Sequence, residues 1–96
     1  MTESELQKQA IDLLKLSGFL VFRLNSGKAR NNIRLCPVGT PDLLAVRNGR
    51  VIWIEMKKPG GKTSAVQDEM IRDLRRHRQE VHIVDNTDIL KEIIGG

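Results

Sequence analysis

The stretch GTPDLLAVRNGRVIWIEMK, Gly39 to Lys57, decides the fold. Two apolar runs, DLLAVR and RVIWIEMK, flank Asn48-Gly49. That dipeptide accepts the positive φ angles of a two-residue hairpin turn, so the runs read as paired antiparallel strands. A two-residue loop fixes the register: Arg47 faces Arg50, Val46 faces Val51, Leu44 faces Trp53, and Asp42 faces Glu55. Hydrogen-bonded and non-hydrogen-bonded pairs alternate away from the turn. Asp42 and Glu55 then form a non-hydrogen-bonded pair, with Cβ atoms about 4.5–5.5 Å apart. Side chains alternate between faces, so Lys57 joins Glu55 on one side. Leu43, Ala45, Ile52, Ile54 and Met56 form a continuous apolar surface on the other.

Like charges directly opposed across a sheet repel unless something neutralises them. One resolution is structural: Asp42 caps a turn after Pro41, and Glu55 pairs with Lys57 or Lys58. The other is a divalent cation between the carboxylates, whose hard oxygens suit Mg²⁺ or Mn²⁺. The shared register, the lysine on the same face and the surrounding positive charge favour the cation.

Outward from the hairpin, TESELQKQAIDLLKLSG reads as a helix. Leu6, Ala10, Leu13, Leu14 and Ser17 recur at helical spacing, Thr2 and Glu5 fit a capping box, and Gly18 ends it. FLVFRL (residues 19–24) is a strand, and NSGKARNNIRLCPVG is a basic loop. After the KPGGK loop, Ser64 starts a helix running to about Gln79, with Val66, Met70 and Leu74 on one face. VHIVD is a short strand, and Asn86 or Thr87 caps a last helix carrying Ile89, Leu90, Ile93 and Ile94. The order α-β-β-β-α-β-α predicts an α/β fold, a mixed central sheet flanked by helices.

A chain of 96 residues predicts a single domain over 1–96. At this size only about 60–65% of the unfolded surface is buried, so association into a dimer would add core. No apolar run approaches the ~20 residues of a bilayer span. The polar N-terminus does not read as a signal peptide. One cysteine, Cys36, excludes an intrachain disulfide and a multi-cysteine zinc site. The expected compartment is a reducing cytoplasm. The net charge of +4 is unevenly spread. Residues 23–62 hold nine Lys and Arg against only Asp42 and Glu55, whereas both flanking segments are slightly acidic. A basic segment of this kind favours a polyanionic partner. It carries no aromatics between its charges, which argues against a base-stacking single-strand binder. His77, His82 and Cys36 read as structural.

Pro41-Asp42, a 12-residue spacer and Glu55-Met56-Lys57 together resemble the signature of the PD-(D/E)XK nuclease superfamily. The flanking text narrows this. Gly39-Thr40-Pro41-Asp42-Leu43-Leu44, Glu55-Met56-Lys57 and Ser64-Ala65-Val66-Gln67 resemble the VRR-Nuc family of small virus-type replication and repair nucleases. Arg23-Leu24-Asn25-Ser26-Gly27 and Glu5-Leu6-Gln7 are similar to that family's segments too. One departure is Arg78-Gln79, where the family often has a glycine ending the helix.

The resemblance implies a restriction-endonuclease-like αβββαβ core. It also implies Mg²⁺-dependent hydrolysis of DNA, leaving 5′-phosphate and 3′-hydroxyl ends. It assigns Asp42 and Glu55 as metal ligands, with the Met56 carbonyl, and Lys57 as the residue that positions or activates the attacking water. Glu5 matches a first-helix acid that completes the metal site, with Glu3 a nearby substitute. Gln67 matches a glutamine lining the site, compatible with a capping box to Ser64. Arg23, Lys28, Arg30, Arg34, Lys58 and Lys62 would contact DNA phosphates. The expected protein is a structure-selective endonuclease acting on branched DNA, a Holliday-junction-resolvase-like homodimer, acting in the cytoplasm, that of a phage's host included. The alternatives are a flap, nicking or end-processing nuclease, and a non-catalytic DNA-binding module.

Overall fold

A computed structural model describes residues 1–24 and 36–95. The elements are α1 (Glu3–Leu16), β1 (Leu20–Arg23), β2 (Leu43–Arg47), β3 (Arg50–Met56), α2 (Ala65–Arg76), β4 (Glu80–Val84) and α3 (Thr87–Gly95). The sheet order follows the chain, β1-β2-β3-β4. β1, β2 and β3 run antiparallel in turn, and β4 joins β3 in parallel. That is the mixed sheet the element order predicts.

The hairpin register is as its turn dictates, from Arg47 opposite Arg50 to Leu43 opposite Ile54. Asn48 and Gly49 both hold positive φ, 50° and 81°, as a type I′ turn requires. Leu43, Ala45, Ile52, Ile54 and Met56 are fully buried. They pack against Leu6, Ala10 and Leu14 of α1 and Leu90 of α3, so the main core lies between the sheet and these two helices.

The helix caps follow the sequence closely. Thr2 Oγ1 accepts from the Glu5 N–H at 3.1 Å, and Asn86 Oδ1 accepts from the Ile89 N–H at 2.9 Å. Such caps contribute about 1 kcal/mol each.

On the opposite face of the sheet lies α2, which differs from expectation in two ways. It ends at Arg76 rather than near Gln79. Its buried residue is Ile71, whereas Val66 is exposed. The helix stops because Arg78 turns into the left-handed region, φ 63°, and the Gln79 N–H donates back to the Leu74 carbonyl at 3.0 Å. For a non-glycine residue that conformation costs about 1–2 kcal/mol. β1 also differs in detail. Its Leu20 and Phe22 are exposed and pair with Val46 and Leu44, on the side of the sheet that carries α2. Among the described residues no helix is long and apolar enough to cross a membrane.

Candidate active site

Strand pairing brings the hairpin's open end beneath the start of α2. Asp42 immediately precedes β2, and its carbonyl accepts from the Leu24 N–H at 2.8 Å. Its side chain turns across to β3, where Oδ2 accepts from the Met56 N–H at 2.8 Å. Met56 therefore reaches the site through its backbone, while its side chain fills the core. Glu55 is only 2% exposed. Its Oε1 accepts from Gln67 Nε2 at 2.7 Å and lies 3.8 Å from Lys57 Nζ. Glu55 Oε2 is buried without any hydrogen-bond partner.

Gln67 serves two ends of its amide at once. Its Oε1 accepts from the Ser64 N–H at 2.9 Å, closing a capping box, which leaves Nε2 free to bind Glu55. Gly39 sets the position of this helix end. Its φ is +92°, and a Cβ there would lie 2.7 Å from the Val66 carbonyl oxygen. Glycine thus lets the loop before Asp42 press against α2.

The electrostatics are those of acids held out of water. Burial raises the Asp42 pKa above the ordinary carboxylate value, even though the Met56 N–H opposes the shift. Burial, followed by the charge of Asp42, pushes Glu55 up to about 8, against the opposing pull of Lys57. Glu3 adds negative charge to both carboxyls. Both first-turn acids in α1 are exposed to solvent, and Glu3 is the one whose charge reaches the pair. Both acids sit in one helical turn, so sequence spacing does not separate them. The helix start does, because the Thr2 cap places Glu3 at the first helical position.

A half-buried carboxylate, Asp42, beside a buried one, Glu55, with an unpartnered oxygen fits a divalent cation that keeps several waters. Among the described residues no cluster of three acidic, histidine or cysteine side chains could hold a metal. The carboxylates that meet here are Asp42 and Glu55, with the charge of Glu3 reaching both.

Of the remaining expected DNA contacts, Lys58, Lys62 and Arg23 lie within the described residues. Lys58 and Lys62 are exposed on the loop after Lys57, where the Gly61 N–H donates to the Lys58 carbonyl at 2.8 Å. Arg23 ends β1 and lines a groove along α1 with Ser4, Gln7 and Lys8. Lys28, Arg30 and Arg34 lie outside the described residues. Cys36 packs as expected, its thiol directed at the Leu24 carbonyl at 3.3 Å. His77 caps the end of α2, and His82 contacts Glu80 at 2.7 Å, both away from the carboxylates.

No curated protein matches the chain. A solved structure described as a VRR_NUC domain superposes with a TM-score of 0.78 at 22% identity, covering 99% of this chain and 97% of that one. This establishes the shared fold. The family model described as archaeal Holliday junction resolvase (Hjc) matches residues 3–83, a span containing Asp42, Glu55, Lys57 and Gln67. The chain therefore belongs to the archaeal Holliday junction resolvase family of nucleases, with the fold of a VRR_NUC domain.

Proposed function

We propose that the protein is a metal-dependent, structure-selective DNA endonuclease that hydrolyses phosphodiester bonds in branched DNA, using Mg²⁺ or Mn²⁺. The observation that carries this reading is the Asp42–Glu55 pair, with Glu55 buried, its Oε2 unpartnered and Lys57 beside it. Membership of a junction-resolvase family supports the substrate class.

A divalent cation held there supplies positive charge that polarises the scissile phosphate. The chain's own groups do the rest. Asp42 and Glu55 would hold the cation, and the Met56 N–H fixes the Asp42 carboxylate through Oδ2. Gln67 holds Glu55 Oε1, which leaves Oε2 as the free donor. Lys57 orients the attacking water and offsets charge that develops on the phosphorane-like transition state. Lys58 and Lys62 hold the neighbouring backbone phosphates, with Arg23 on the α1 side. Products carry 5′-phosphate and 3′-hydroxyl ends.

The homodimer is part of the same proposal. Leu20 is 62% exposed and Phe22 45%, and they extend onto the half-buried Leu44, Val46 and Val51 of one sheet face. A second copy packed there would bury this apolar strip and place two sites for paired nicks.

Side-by-side assays on a four-way junction, a flap and a linear duplex test the reading. With Mg²⁺ or Mn²⁺ the junction is cut fastest, and EDTA stops cleavage. Failure to cut any of the three with either metal ends the enzyme reading, and preference for the flap replaces the junction reading with flap processing. Sedimentation shows a dimer that Phe22→Lys dissociates; a wild-type monomer contradicts the dimer.

A further inference from the structure

Counted by segment, residues 63–96 are slightly acidic, yet four of their five basic residues crowd into RDLRRHR, Arg72 to Arg78. The fold gathers these at the far end of α2. The helix touches Glu55 through Gln67, and from there the axis rises about 7 Å to Arg72 and about 13 Å to Arg76.

A groove connects the two ends. Its first part is lined by Asp42 and Gln67 with Val38 and Val66. The next is lined by Val38, Val66, Glu69, Met70 and Asp73. The last is lined by Glu69, Asp73, Arg72, Arg75 and Arg76. Each part shares two lining residues with the next.

Local structure accounts for only some of the arginines. Arg75 donates to the Val81 carbonyl at 2.8 Å, which ties α2 to β4. Arg76 pairs with Asp73, and both it and Arg75 also complement the negative end of the helix dipole. Arg72 and Arg78 are exposed, and their side chains make no hydrogen bond or ion pair among the described residues. Arg78 also occupies a left-handed backbone position, φ 63°, where glycine would end the helix without strain. An unfavourable conformation kept by a charged side chain with no internal partner points to an external one.

We propose that Arg72, Arg76 and Arg78 form a second phosphate-binding surface, which grips the DNA backbone toward the far end of α2, away from the scissile bond. The inference rests on the nuclease reading and adds to it a footprint distant from the catalytic carboxylates. Duplex DNA carries one charge per about 1.7 Å of axis, so about eight phosphates lie within the roughly 13 Å from Gln67 to Arg76. Glu69 and Asp73 line both the middle and the far part of the groove, and only the far part adds arginines to offset them. The contacts are to backbone, so junction and linear duplex both benefit.

The test is binding of a labelled four-way junction and a labelled linear duplex, in EDTA, across a salt series. Each lost phosphate contact lowers the slope of log Kd against log salt by about 0.9. The triple variant Arg72→Ala, Arg76→Ala, Arg78→Ala is expected to lose about 2 to 3 from the slope on both DNAs. Arg78→Gly gives an independent readout that does not depend on a fragile variant. It should raise the melting temperature while weakening DNA binding and lowering the slope by about 1. A purely structural Arg78 would raise stability and leave binding unchanged, and that result overturns the proposal. Wild-type protein that binds DNA with a slope unchanged in the triple variant overturns this surface alone. Wild-type protein that binds no DNA overturns the nuclease reading with it.

Discussion

Two glutamates on adjacent strands of one sheet carry opposite perturbations, and the contrast separates the hairpin's two ends. At the turn end, Arg50 makes a two-pronged ion pair with Glu80, at 3.0 and 2.8 Å, and also donates to the Ile93 carbonyl. His82 touches the same carboxylate. This holds Glu80 well below the usual range, at about 2, chiefly through the Arg50 hydrogen bonds. At the open end, Glu55 meets Asp42 instead of an arginine, and burial and repulsion push it to about 8. The first end is a clasp that joins β3, β4 and α3. The second is a concentration of charge that the fold does not neutralise by itself. Acids whose needs are met inside the chain serve structure, and acids left wanting a partner mark a site.

The sharpest way to break this contrast is at the open end. Asp42→Ala is expected to reduce junction cleavage at least about a thousandfold, because it removes a metal ligand. DNA binding in EDTA should stay within a few-fold of wild type. Cleavage at wild-type rate would remove Asp42 from the site.

Next in size is the pH dependence of metal-free stability. Glu55 has a folded pKa raised from 4.5 to about 8. Its favourable contribution is therefore present below about 4.5 and is lost as pH rises through 8. Thermal melts in EDTA should show stability falling across that window, and Glu55→Gln should flatten the fall. An unchanged slope in Glu55→Gln would locate the effect elsewhere.

The smallest effect belongs to the clasp. Glu80 has a folded pKa lowered from 4.5 to about 2, so its contribution holds above 4.5 and is lost as pH falls through 2. Its side chain is a third exposed, and solvent screening limits the pair to about 1 kcal/mol. Glu80→Gln should lower the melting temperature by about 4–8 °C at neutral pH and leave cleavage intact. A large loss of cleavage in a folded Glu80→Gln protein would erase the difference between the two ends.

The hairpin was legible in the sequence because a two-residue turn leaves register no freedom. From Asn48-Gly49 one can count to Asp42 and Glu55 without knowing any tertiary contact. The element order and the caps at Thr2, Ser64 and Asn86 (or Thr87) were legible for the same local reasons. What the sequence did not reveal depends on tertiary placement. Glu3 and Glu5 share a helical turn, and only the packing of α1 shows whose charge reaches the pair. The end of α2 was misplaced because Arg78 adopts a glycine-like conformation that no propensity would assign to it. The exposure of Leu20 and Phe22 was likewise hidden, since an apolar strand reads the same whether or not its face is covered. The clasp was invisible for a simpler reason: Arg50 and Glu80 are thirty residues apart, brought together only when β4 adds in parallel.

The claim at the centre of this account is that the open end, and not the clasp, holds a divalent cation. Binding of Mn²⁺, followed by electron paramagnetic resonance, tests it directly in three proteins. Wild type and Glu80→Gln are predicted to bind Mn²⁺ alike, while Glu55→Gln loses binding by at least about tenfold. Equal Mn²⁺ binding by folded Glu55→Gln and wild type would contradict the account.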